Sequence, residues 1–107
     1  MKGFAEEFAN TVAADRRLAI LRMLADPNIG PELGESTIEK GLRMWGFRTK
    51  LTREVVQADL LHLGQIHCVH NEIGQGGYIV ATITRIGVQA AQGAIMVEGV
   101  SRPQIGL

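Results

Sequence analysis

The segment HLGQIHCVH, residues 62–70, holds all three histidines of the chain and its single cysteine. Imidazole and thiolate groups are zinc ligands, and a cysteine beside a histidine can act as a nucleophile with its base. The segment has no CxC or CxxC pair and no accompanying carboxylate–histidine ligand set. In an extended strand, Cys68 and His70 share a face and His67 points elsewhere. We therefore expect no metal site, no cofactor, no catalytic residue and no enzymatic activity, with Cys68 filling the core.

A run of basic side chains without an acid is the second chemical signal. It extends from Lys40 to Arg53, and clustered cations are typical of contact with DNA phosphates. Gln57, one helical turn further on, can form two hydrogen bonds with the N6 and N7 atoms of adenine. The predicted DNA-binding residues are Lys40, Arg43, Arg48, Lys50, Arg53 and Gln57, and Asn71 and Gln75 are predicted to lie on a β wing over the adjacent groove. The alternative is that the cations form an ordinary solvated surface.

Three apolar side chains favour a protein ligand instead. Phe4 and Phe8 lie ahead of the predicted core at helical spacing, where a second subunit is a natural partner. Leu61 falls on the predicted outer face of the third helix, beside Glu54, which repels phosphate. The whole chain has eleven Lys/Arg and eleven Asp/Glu, whereas a dedicated DNA-binding domain is usually basic. Phe4, Phe8 and Leu61 are therefore predicted to bind a partner protein, although Leu61 could also pack under the wing.

Helical periodicity predicts the elements that carry these residues. The stretch ADRRLAILRMLAD forms a first helix, and residues 4–14 either continue it or form a separate arm. In ESTIEKGLRMWG, Ser36 and Glu39 are predicted to form a capping box, and Gly46 ends the helix. The predicted buried stripe of this second helix is Ile38, Leu42 and Trp45. Thr52 is predicted to cap a third helix that buries Val56, Leu60 and Leu63 and ends at Gly64 or His67.

The remaining segments predict a hairpin, a short helix and a tail. CVHNEI and YIVATIT alternate as strands, and GQGG lets the chain reverse between them. Thr84 is predicted to cap a last helix that ends near Gly93. The Gly- and Pro-rich segment DPNIGPELGES is predicted to be a loop, with at most a very short strand near Ile29.

The order helix, helix, helix, hairpin, helix predicts a mainly α fold with a small β-hairpin, a winged helix-turn-helix. We divide the chain into an N-terminal helical arm (1–14), a winged-helix domain (15–93) and an extended or disordered tail (94–107). At 107 residues and 46% hydrophobic composition, one domain with one core is expected. The chain has no apolar run long enough for a bilayer, its start does not resemble a signal peptide, and it has one cysteine, so we expect a cytoplasmic protein without a membrane partner.

Four segments together resemble a family of small winged-helix proteins of Mu-like phages and prophages. They are ADRRLAILRMLAD, the spaced pattern GFR…T…V…DLLHL, VATITRIG and VEGVSRP, which extend from about Asp15 to Pro103. Members are often labelled as relatives of the arsenic-repressor transcription factors. The resemblance implies a winged helix, a DNA-binding role and the cytoplasm of a bacterial host, while genes of this kind usually lie among late head and packaging genes. Relatives tend to have Gly before the first wing strand, where this chain has His67.

Two functions follow as hypotheses. The first is a regulatory or architectural protein that binds double-stranded DNA as a homodimer, with the third helix in the major groove. Its dimer contacts would come from the N-terminal arm and the final helix. The second is a protein-interaction module that uses the winged-helix scaffold in phage DNA packaging or head assembly.

Overall fold

The computed structural model describes residues 3–104, which form four α-helices and one three-stranded antiparallel sheet. The elements in chain order are α1 (Phe4–Ala25), β1 (Glu32–Gly34), α2 (Glu35–Met44), α3 (Arg53–Gln65), β2 (Val69–Ile73), β3 (Ile79–Ile83) and α4 (Arg85–Ala91). A 3₁₀ turn, Gln75–Gly77, joins β2 to β3. The fold is therefore a mixed α/β arrangement in which the helices pack around one core and against one small sheet.

Helix α1 is continuous over 22 residues, so residues 4–14 extend the first predicted helix and do not form a separate element. Its second half supplies much of the core, because Leu18, Leu21 and Leu24 are buried together with Ala19, Ile20 and Met23. Its first two turns are exposed from Phe4 to Thr11. The helix thus projects beyond the body of the protein at its N-terminal end.

Helix α2 begins one residue before the predicted capping box, and that box does not form. Gly34 is the N-cap, no side chain caps the helix, and Glu35 turns into the protein. Ile38 and Leu42 are buried as predicted, but Trp45 is 50% exposed. Trp45 follows the last helical residue, and Gly46, at φ 97°, then turns the chain so that Phe47 packs against the core.

Helix α3 matches its prediction closely. The Thr52 hydroxyl accepts a hydrogen bond from the Val55 amide, and Val56, Leu60 and Leu63 are fully buried. After the last helical residue, Gln65, the chain turns away from the helix at His67, which adopts a left-handed φ of 65°. Its amide donates to Gly64 O at 3.1 Å, and the next amide, that of Cys68, donates to Leu63 O at 2.9 Å. These bonds satisfy the last carbonyls of the helix.

The predicted hairpin forms from β2 and β3, and a short strand within the predicted loop extends it. The sheet order is β1-β3-β2, all antiparallel, with Leu33 and Asn71 both opposite Ala81. The short strand allowed near Ile29 lies a few residues further on, at Glu32–Gly34. Three residues in a Gly- and Pro-rich segment carry too little alternation to be recognised without their partner strand.

The C-terminal region packs against the rest of the protein. Thr84 caps α4 by accepting from the Gly87 amide, and Gly93 has a left-handed φ of 78°. Residues 94–104 contain no helix or strand, yet Ile95, Val97 and Val100 contact the core. The last residues of the predicted tail, 105–107, lie outside the described part. Among residues 3–104, no helix is long and apolar enough to cross a membrane.

Candidate functional site

A buried carboxylate connects α2, α3 and the wing, the hairpin formed by β2 and β3. Glu35 is 2% exposed. Its Oε1 accepts from the Ile79 amide at 2.7 Å and from Gln57 Nε2 at 3.0 Å, while its Oε2 accepts from Arg53 Nε at 3.1 Å. Burial alone would raise the pKa of Glu35, but these three donors together outweigh it and hold the pKa below its ordinary value. We call Glu35, Arg53, Gln57 and the Ile79 amide the Glu35 network.

The Glu35 network also holds the tip of the wing. Arg53 Nη2 donates to Gly76 O and Gln57 Nε2 donates to Gly77 O, both at 3.3 Å. The Arg53 guanidinium carbon lies 4.1 Å from the centre of the Tyr78 ring, a cation–π distance. Arg53 and Gln57, both predicted to contact DNA, thus form hydrogen bonds within the protein that join α3 to the tip of the hairpin.

Among the other predicted DNA-binding residues, Arg43 is held by hydrogen bonds within the protein, and the remaining side chains are exposed. Arg43 Nη2 donates to Glu39 Oε2 and to Leu51 O, both at 2.8 Å. Arg48 is exposed although its Nε donates to Arg43 O at 3.0 Å. Lys40 and Lys50 are exposed, the latter with a left-handed φ of 56°. The exposed cations therefore lie on α2 and the α2–α3 turn, and not on α3.

The predicted wing residues behave differently from one another. Asn71 Nδ2 donates to Leu60 O at 2.8 Å, so this side chain attaches β2 to α3. Gln75 is exposed in the 3₁₀ turn at the tip. Only Gln75 has the accessibility that the prediction required.

The surface shared by α3 and the wing is poor in positive charge. Arg53 is the only Lys or Arg from residue 53 to residue 84, and it forms an ion pair with Glu35. The exposed side chains of α3 are Glu54, Ala58, Leu61 and Gln65. Leu61 is 51% exposed, so it is not buried under the wing. This surface is neutral to acidic, with an apolar side chain in its middle.

A groove separates the first half of α1 from the α2–α3 turn. It encloses about 780 Å³ and is lined mainly by apolar side chains, among them Phe4, Phe8, Val12, Phe47, Leu51 and Val55. The Phe4 and Phe8 rings stack with centroids 5.9 Å apart and are 80% and 58% exposed. Arg48 and Lys50 lie at its border. Phe4 and Phe8, which are predicted to bind a partner, thus line the same groove as the exposed cations Arg48 and Lys50.

A second buried carboxylate was not anticipated from the sequence. Asp59, 1% exposed, forms ion pairs with Arg16 and with Arg17 of α1, the latter at 3.1 Å. Arg17 Nη1 also donates to Gly99 O at 3.0 Å, so one cluster joins α1, α3 and the tail. The sequence did contain a signal for it, because Asp59 lies on the same helical face as Val56, Leu60 and Leu63, and a charge buried on that face requires a partner.

The histidine and cysteine side chains are dispersed. The His62 ring lies 2.8 Å from Glu98 O, His67 ends α3, and His70 is exposed on β2. Cys68 is fully buried, and burial raises the pKa of its thiol. Within residues 3–104, no three His, Cys, Asp or Glu side chains gather as metal ligands.

Comparison with known proteins gives one informative relative. No protein-family model matches the chain. No solved structure matches it either. A protein of Escherichia phage Mu, described as "Uncharacterized protein gp26", is 38% identical over 90 residues, which cover 84% of this chain and 88% of that protein. The chain therefore belongs to the same phage protein family as gp26 of phage Mu.

Proposed function

We propose that the chain is a winged-helix protein that binds another phage protein through the exposed face of α3, in head assembly or DNA packaging of a Mu-like phage. The winged helix is supported by the order of elements and by the hairpin paired with β1 in the order β1-β3-β2. The phage setting is supported by the kinship with the Mu protein.

One observation carries the choice of a protein over a DNA ligand. The α3–wing surface, which would face the duplex, has Arg53 as its only Lys or Arg, and that charge is paired with Glu35. Contact with DNA phosphates supplies nearly all of the non-specific affinity of a DNA-binding protein. A surface without free cations lacks this contribution, and Glu54 adds repulsion.

The apolar character of the same surface favours a protein ligand. Leu61 is half exposed among small or neutral side chains, including Ala58 and Gln65. Such a surface resembles the centre of a protein interface, where charged residues are depleted and one apolar anchor contributes much of the affinity. We place Leu61 at the centre of the contact.

The experiment is pairwise co-purification with each product of the genes that flank the gene of this chain in its prophage. We expect one partner to form a complex that Leu61→Glu weakens at least ~10-fold, because a carboxylate would be buried against an apolar partner. Gln92→Glu is the matched control, since it adds the same charge at an exposed position at the end of α4. Reversal of Lys40, Arg48 and Lys50 to Glu should leave the complex intact. Absence of any complex, or a complex that survives Leu61→Glu, contradicts the proposal.

DNA binding is the second candidate, and the exposed cations of α2 and the α2–α3 turn favour it. Lys40, Arg48 and Lys50 can contact three phosphates at most, which gives a salt-dependence slope of about −2.7 on a log–log plot. The measurement is an electrophoretic shift of a random 30-bp duplex, titrated at about 50 and 200 mM salt. A shift that Arg48→Glu with Lys50→Glu abolishes would select this candidate over the first.

A further inference from the structure

We propose that the groove beside α1 receives α1 of a second copy of this chain, running antiparallel, in a symmetric homodimer. Phe4 and Phe8 of each copy enter the groove of the other. This interface is separate from the Leu61 surface, so either proposal can fail without the other.

The shape of the patch is self-complementary. Phe4 and Phe8 stack into one ridge that is largely exposed, and the groove lies directly beside that ridge. A two-fold axis brings the same patch of two copies together, so that each ridge meets a groove. A single chain cannot make this contact, because its own ridge forms one wall of its own groove.

The area is of the right order for a stable dimer. At the exposures of Phe4 and Phe8, the two rings of one copy present on the order of 250 Å² to water. A standard interface covers about 800 Å² per partner. The rings supply roughly a third of it, and the groove walls formed by Val12, Phe47 and Val55 lie in the same patch.

The charges identify the occupant as a second copy. From Gly3 to Ala14 the chain has two acids, Glu6 and Glu7, and no base, while the turn from Gly46 to Leu51 has two bases, Arg48 and Lys50, and no acid. At 100° per residue, Glu7 flanks the phenylalanine face of α1, whereas Glu6 lies on the opposite side of the helix. The ion pairs within the described chain involve neither acid. In the antiparallel dimer, Glu7 of one arm meets the bases Arg48 and Lys50 in the turn of the other copy.

The first measurement is sedimentation velocity of the full chain from 1 to about 100 µM. We expect a species of twice 11.6 kDa for the wild type, and a dissociation constant raised more than ~100-fold by Phe4→Ser with Phe8→Ser, because each substitution removes two aromatic anchors per dimer. Circular dichroism should show an intact fold, since both rings are mainly exposed. Asn10→Lys, a charge on the opposite side of α1, is the matched control and should leave the dimer unchanged.

The second measurement tests the pairing of arm and turn by charge reversal. Glu7→Lys, and separately Arg48→Glu with Lys50→Glu, should each weaken the homodimer at low salt. An equimolar mixture of the two variants should form a heterodimer, because both of its arm–turn contacts then join opposite charges. Damage to the fold of either variant would not be rescued in this way. A monomeric wild type at 100 µM, a dimer that survives loss of both phenylalanines, or a mixture without a heterodimer overturns the proposal.

Discussion

Replacement of Glu35 by Gln tests whether the Glu35 network holds α3 and the wing together. The substitution keeps the size of the side chain and removes its charge. An amide oxygen can still accept from the Ile79 amide, but the new amide nitrogen replaces Oε2, to which Arg53 donates. The new amide N–H group and the Arg53 Nε–H group, both donors, would then face each other across about 3 Å.

The expected loss of stability depends on which hydrogen bonds to residue 35 remain after the substitution. A hydrogen bond to a charged group contributes about 1.5–3 kcal/mol, and the contribution of Arg53 falls at the low end because its side chain is 40% exposed. The bonds from Gln57 and Ile79 lose only their charge assistance. We expect a decrease in the free energy of unfolding of about 2 kcal/mol, and about 3–4 kcal/mol for Glu35→Ala, which also leaves the buried Ile79 amide without an acceptor.

The effect should depend on pH in a defined direction. The folded protein holds the pKa of Glu35 below its ordinary value of 4.5. The unfolded chain therefore binds this proton more readily, and the carboxylate contributes its full stability above pH 4.5. That contribution is lost as the pH falls through the lowered pKa. The difference between wild type and Glu35→Gln should be constant from pH 6 to 7 and should shrink below pH 4.5.

Urea unfolding of both proteins from pH 3 to 7 measures the difference, and Glu39→Gln is the matched control. Glu39 forms an i,i+4 ion pair with Arg43 at the surface, which contributes about 0.3–0.5 kcal/mol. Hydrogen exchange of the Ile79 amide should accelerate in Glu35→Gln and not in Glu39→Gln. A loss no larger than that of the control, or a difference that grows towards acid pH, would refute the role assigned to Glu35.

Three further predictions concern other buried or strained residues. Asp59→Asn should cost about 3 kcal/mol in urea unfolding, because Arg16 and Arg17 would lose their buried counter-charge; a loss below 1 kcal/mol contradicts this. His67→Gly should raise the stability by about 0.5 kcal/mol, since glycine adopts a φ of 65° without strain, whereas His70→Gly in the extended strand β2 should lower it. Cys68 should react with a thiol reagent at least ~100-fold more slowly than the unfolded chain, because it is fully buried and burial raises its thiol pKa; equal rates would show that the core opens readily.

The sequence predicted those features that depend on neighbours along the chain. The apolar spacing of Val56, Leu60 and Leu63 identified the inner face of α3, and the hydroxyls of Thr52 and Thr84 identified two helix starts. Each of these signals lies within one or two helical turns of its partner. The hairpin was predictable for the same reason, because its strands are separated only by a short glycine-rich turn.

Features that depend on distant partners were missed or misread. From the sequence alone, Glu35 is an ordinary acidic residue near the start of a helix. Its inward orientation depends on Arg53, Gln57 and the Ile79 amide, which lie 18 to 44 residues away. The capping box predicted from Ser36 failed because the helix begins at Glu35. Strand β1 exists only through its pairing with β3, since its three residues show no usable alternation.

The buried Glu35 carboxylate also bears on the choice of ligand, because it competes with DNA for Arg53. For Arg53 to reach a phosphate, it would have to leave Glu35 and lose a hydrogen bond to a charged group, which contributes about 1.5–3 kcal/mol and falls at the low end here because Arg53 is 40% exposed. A phosphate contact at the surface is screened by salt and would have to replace this bond. Arg53 is thus paired with Glu35 on the α3–wing surface, and Leu61 is the exposed apolar side chain there. If Glu35→Gln were to increase the affinity for a random duplex, Arg53 would prove to be a phosphate ligand restrained by Glu35, and the assignment of α3 to a protein partner would be wrong.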